Sequence, residues 1–118
     1  MSAESTNSSW HEALSVYDSL VGPAWQHIAG FRGLVELLGR SPETSGLTAV
    51  MSHETLLISP YTRYPDWFEG RHLRLHPLAD GRVRIDRYPE RFDRRPAETW
   101  TVPLEDARER ILQLAADL

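Results

Sequence analysis

His72, Arg74 and His76 fall on alternate positions of one short segment, and Arg82, Arg84, Asp86 and Tyr88 repeat that spacing soon after. Alternate residues of an extended chain share one side. The two segments therefore line up imidazoles, guanidiniums, a carboxylate and a phenol on one surface. Metal binding does not follow, because histidines four apart on a strand stand about 13 Å from each other. His11, His27 and His53 are scattered, no His-Glu-x-x-His spacing occurs, and cysteine is absent. Thiolate-ligated zinc and iron–sulfur sites are thereby excluded. For acid–base chemistry the candidates are His53-Glu54 in a turn and Asp66 beside Trp67. Most other acids sit in loops or on polar helix faces, where carboxylates are usually just solvated. Ser52 and Ser59 lack the Gly-x-Ser-x-Gly surroundings of a nucleophile elbow. No catalytic residue, metal ligand or cofactor site is assigned, and a non-enzymatic role is expected.

Every one of the 13 basic residues is arginine. Arginine codons are GC-rich, so the bias reads first as a mark of the genome. It also has chemical consequences. Without lysine there is no Schiff base and no Walker-type phosphate loop. Each cation is a planar fork suited to carboxylates and phosphates. Beside them, Tyr61, Tyr64, Trp67 and Phe68 crowd one loop between Pro60 and Gly70. Either Trp67 and Phe68 fold back to plug one end of the core, or the loop is an exposed aromatic anchor. The arginine surface likewise has two readings: a solvated, salt-bridged sheet face, or a partner surface. If a partner binds, the contact is expected on Arg74, Arg84, Tyr88, Tyr64 and Trp67, since tyrosine, tryptophan and arginine dominate interface hot spots.

The elements that must position these residues follow from periodicity. Ser9 with Glu12 has the capping-box spacing, and Trp10, Ala13, Leu14, Tyr17 and Leu20 then recur as one helical stripe, ended by Gly22-Pro23. A second helical region runs from about Pro23 to Leu38, weakened at Gly30 and Gly33, where a kink, a break or a close approach is expected. From Leu47 the pattern alternates. Residues 47–51 and 55–58 read as strands, paired or as one bent strand. Residues 72–76 and 82–86 form the clearest hairpin, turning at Asp80-Gly81, and 99–102 is a last strand. Leu104, Ala107, Ile111, Leu114 and Leu118 mark a C-terminal helix. Trp100 is expected to be buried between the sheet and this helix.

The expected fold is α+β: two N-terminal helices, a four- to five-stranded antiparallel sheet and one C-terminal helix, with the helices on one sheet face. Its 118 residues make one domain over 9–118 after a polar, disordered tail, residues 1–8. That tail lacks the pattern of a signal peptide, so a cytoplasmic protein is expected. No apolar run approaches the ~18–20 residues of a membrane span. The net charge of -4 is segregated: -4 over residues 1–59, +3 over 60–97 and -3 over 98–118. An acidic chain argues against nucleic acid as partner.

In size, acidity and layout the chain resembles small bacterial domains without catalytic motifs, among them immunity-type proteins that neutralise a toxin by binding it. The likeness is one of build and carries over no residue. The expected function is a non-catalytic binding module for another protein, of neutraliser or adaptor type. A binder of a small anionic ligand or single-stranded RNA on the arginine-lined face comes second, and a small metal-independent enzyme third.

Overall fold

The computed structural model describes residues 8–20, 22–90 and 95–118. Most of the expected tail, residues 1–7, lies outside them, as do residues 91–94 of the charged loop. Helix α1 (Ser8–Ser19) buries Trp10, Ala13 and Tyr17, three or four positions apart. Its start corrects the capping reading. Ser8 is already helical, and the Ser9 hydroxyl accepts from the Ala49 backbone N–H at 3.0 Å instead of capping its own helix. Trp10 Nε1 donates to the Leu47 carbonyl at 3.1 Å, so α1 is tied to the start of the sheet at two points.

The second helical region is interrupted before its glycines, not at them. A 3-10 turn, Pro23–Trp25, precedes helix α2 (Ile28–Gly39). Gly30 serves close approach: a Cβ there would lie 2.8 Å from Leu104 of helix α4 (Leu104–Ala115). Any larger residue would have to displace the Leu104 side chain.

Five strands follow: β1 (Thr48–Ser52), β2 (Thr55–Ser59), β3 (His72–Pro77), β4 (Arg82–Tyr88) and β5 (Glu98–Pro103). They form one antiparallel sheet in the order β1-β2-β3-β4-β5. The first two are a tight hairpin closed by His53-Glu54, with His53 at φ 58. Each strand pairs with the next, so the alternating residues sort into two faces. Leu56, Ile58, Leu73, Leu75, Val83 and Ile85 turn inward and are buried against the helices. Trp100 falls short of its expected burial. It packs against the core only partly, on the edge strand β5, with the Arg110 guanidinium 5.8 Å from its ring. Among the described residues no helix is long and apolar enough to cross a membrane.

Candidate functional site on the outer sheet face

The face turned away from α1, α2 and α4 is not simply wet. Residues between β2 and β3 form a loop containing the one-turn helix α3 (Asp66–Glu69), which lies against β2. Leu57, on the outer side of β2, is buried there although it lies outside the main core. The loop is fastened at its base. Arg71 donates to the Tyr61 hydroxyl and to Glu90, both at 2.9 Å, and Tyr61 donates to Glu90. The Tyr61 bond, then that of Arg71, holds the Glu90 carboxyl below its usual pKa. Gly70 is required at the end of the loop, since a Cβ there would run into the Tyr61 ring and crowd the Asp66 carbonyl.

Beside it, on the same face, lies a polar network on β3 and β4. His72 is 0% exposed and stacks on Tyr88 at 4.6 Å between ring centroids. Its Nδ1 is 2.9 Å from the Gly70 carbonyl, which can only accept, so Nδ1 carries the proton. Nε2 then accepts from Arg74 Nε at 3.0 Å. The imidazole is neutral: burial above all, helped by the Arg74 charge and opposed by the Gly70 bond, pushes its pKa down to about 4. The Arg74 guanidinium lies 4.5 Å over the Tyr88 ring, so two contacts fix its plane.

A second chain of groups runs alongside. Asp86, only 3% exposed, accepts from His76 Nε2 at 2.9 Å, Arg84 Nη2 at 3.2 Å and the Thr99 hydroxyl at 2.9 Å. With its Nε2 proton given to the carboxylate, neutral His76 accepts from the Thr55 hydroxyl through Nδ1 at 3.1 Å. Burial, then the charge of Arg84, lowers the His76 pKa, and Asp86 opposes the shift.

These networks leave a concave site of about 420 Å³ between the β1–β2 turn and α3. Leu57, Arg74 and His76 line its floor, Trp67 and Phe68 one wall, and Ser52–Thr55 the other. The turn is held from behind: Tyr17 donates to the Glu54 carbonyl at 3.0 Å, and the Glu54 carboxylate lies 3.6 Å from His27. Of the catalytic candidates read from sequence, His53 and Glu54 line this cavity and Asp66 does not. Among the described residues no group of three His, Asp or Glu is placed to hold a metal ion.

Five residues were expected to form a contact patch. Tyr64, Trp67 and Phe68 form one aromatic cluster with centroids 5.3–5.7 Å apart, and Tyr64 is 74% exposed. Trp67 and Phe68 are half-buried beside the outer-face cavity, and Trp67 also borders α1 and β1. Arg74 and Arg84 share the face but are offset: Arg74 pairs with Asp86 across the strands and Arg84 with His76. They do not form a matched pair of forks, since Arg84 holds Asp86 and Arg74 holds His72. Tyr88 is corrected from contact to support, because it is buried beneath Arg74 and against His72. Sequence reasoning missed Thr55 and Leu57 as site-forming groups, and it placed Asp86 on this face without its bonds to His76 and Thr99. The signal for Asp86 was available, since the hairpin through Asp80-Gly81 sets it opposite Arg74. No protein-family model, curated protein or solved structure matches the chain.

Proposed function

We propose that this domain is a non-catalytic binding module for another protein, of neutraliser or adaptor type, working through the outer sheet face and its aromatic loop. The observation that carries the reading is the Tyr64–Trp67–Phe68 cluster, which stands on the outer sheet face at α3 with Tyr64 74% exposed. Exposed aromatics next to arginine are the composition of interface hot spots. Arg84, with its side chain 45% exposed, supplies a cation within the same face. A partner carrying acids on its contact surface suits this composition, and its association slows as salt rises.

The test is capture of the partner from the source cell by tagged chain, repeated with Tyr64→Ala and Arg84→Gln. Glutamine is chosen because Arg84→Glu would set a second carboxylate against buried Asp86. A specific protein, identified by mass spectrometry, is expected to bind wild type and to lose at least about tenfold in affinity to Tyr64→Ala. Equal capture by wild type and both variants contradicts the reading.

One observation favours a hydrolase as second reading. Thr55, His76 and Asp86 stand in the order hydroxyl, imidazole, carboxylate, which activates a nucleophile in other settings. Thr55 is a paired strand residue opposite Ser52, and the chain of bonds reads as a framework that fixes His76. Turnover of p-nitrophenyl acetate that vanishes in both Thr55→Val and His76→Gln would establish the enzyme and remove the non-catalytic reading.

A further inference from the structure

From the cavity between α3 and the β1–β2 turn, we infer a binding site for a free, one-ring aromatic carboxylate, independent of any protein partner. Three features of the lining define this chemistry. First, the walls suit a flat apolar group. Trp67 and Phe68 meet at 62° with centroids 5.3 Å apart, forming a corner, and Leu57 lies on the floor. Edge-to-face and offset packing of a ring into such a corner is favourable.

Second, the lining carries a cation on its floor. Among the described residues, Arg74 and Glu54 are the lining residues with an aspartate, glutamate or arginine charge. The Glu54 carboxylate is drawn towards His27, 3.6 Å away at the rear of the turn. Arg74 thus places a guanidinium on the floor. One cation matches a monoanion better than a phosphate dianion, which draws several donors and cations.

Third, the site is built before a ligand arrives. The Arg74 guanidinium is fixed by His72 and the Tyr88 ring, and His76 by Thr55 and Asp86. Preorganised groups lose little freedom on binding. A volume of about 420 Å³ falls within the range of small-molecule pockets, which combine apolar walls with a few placed polar groups.

The experiment titrates benzoate, benzamide, acetate and inorganic phosphate separately into the full chain, followed by 1H–15N NMR spectra. Benzoate is expected to shift the Thr55, Leu57 and Arg74 amides and the Trp67 indole N–H, saturating with a Kd of about 1 mM, as suits so few atoms. Benzamide, which keeps the ring without the charge, and acetate, which keeps the charge without the ring, are expected to bind at least about tenfold more weakly. Trp67→Ala weakens benzoate about tenfold, and Arg74→Gln removes the preference for benzoate over benzamide.

Because Arg74 also braces His72, Arg74→Gln is used only if its spectrum is that of a folded chain. If it is not, Trp67→Ala and the neutral and ringless probes decide alone. The inference is overturned by any of three results: no saturable shift from benzoate, equal affinity for benzoate and benzamide, or unchanged benzoate affinity in Trp67→Ala. Tighter binding of phosphate than of benzoate would replace the assigned ligand class and also overturn it. The isolated chain suffices for every arm, so failure here leaves the protein-partner reading to its own test.

Discussion

The two faces of one sheet solve burial in opposite ways. On the inner face Leu73, Leu75, Val83 and Ile85 pack against helices, and their burial requires nothing beyond shape. On the outer face of the same two strands His72, Asp86 and Tyr88 are buried almost as deeply, but within hydrogen bonds and ring contacts. Burying polar groups is unfavourable unless each finds a partner. Equal stability is available from apolar residues of similar volume. The inner face therefore reads as structure, and, under the proposed function, the outer as a surface whose groups are held ready for recognition.

The largest expected effect tests the inner face. Ile85→Ala should destabilise the domain by about 3–4 kcal/mol, through lost burial and the cavity left behind. Chemical denaturation measures it, and a change under about 1 kcal/mol would remove Ile85 from the core.

Asp86→Ala tests the outer face and should cost about 2–3 kcal/mol, since it strands His76 and Thr99. Arg84 is half-exposed, can turn to water and contributes little to that loss. Replacing the pair together, His76→Leu with Asp86→Leu, should recover at least half of the loss while benzoate binding disappears. Recovery of stability with binding intact would mean that the network has no part in recognition.

The histidines give the outer face a pH dependence that the inner face lacks. The folded-state pKa of His72 lies near 4, below its unfolded value of 6.5. Protons therefore bind the unfolded chain more tightly, and stability falls as pH drops from about 6.5 towards 4, by at most about 1.4 kcal/mol per pH unit for this group. The lowered pKa of His76 acts in the same direction. Denaturation midpoints between pH 7 and 4.5 should fall in wild type and fall less in His72→Gln. Parallel curves would show that His72 is not neutral and buried.

Trp100→Ala should be the mildest of these changes, about 1–2 kcal/mol, because the ring is half-buried on an edge strand. A loss of 4 kcal/mol or more, typical of a buried aromatic, would place β5 deeper in the fold.

Much of the fold was legible in the sequence. Alternation in 47–58, 72–76 and 82–86 marked the strands, and the spacing of Ala107 and Ile111 marked α4. What failed depended on contacts distant in sequence. Ser9 has the signature of a cap, yet its hydroxyl serves Ala49, which no local pattern announces. Trp100 obeys strand alternation, but alternation does not say that β5 has a neighbour on one side only. The outer face was legible as a set of side chains. The burial of Leu57 was not, because the loop against β2 follows a path that depends on Gly70, Tyr61, Arg71 and Glu90 meeting in space.

Hydrogen–deuterium exchange on the captured complex, compared with the chain alone, tests the central claim most directly. If the outer face is the working surface, partner binding slows exchange in residues 61–71 and leaves the exposed sides of α1 and α4 unchanged. Slower exchange confined to α1 and α4, with residues 61–71 as fast as in the free chain, would contradict the account and move the working surface to the acidic helices.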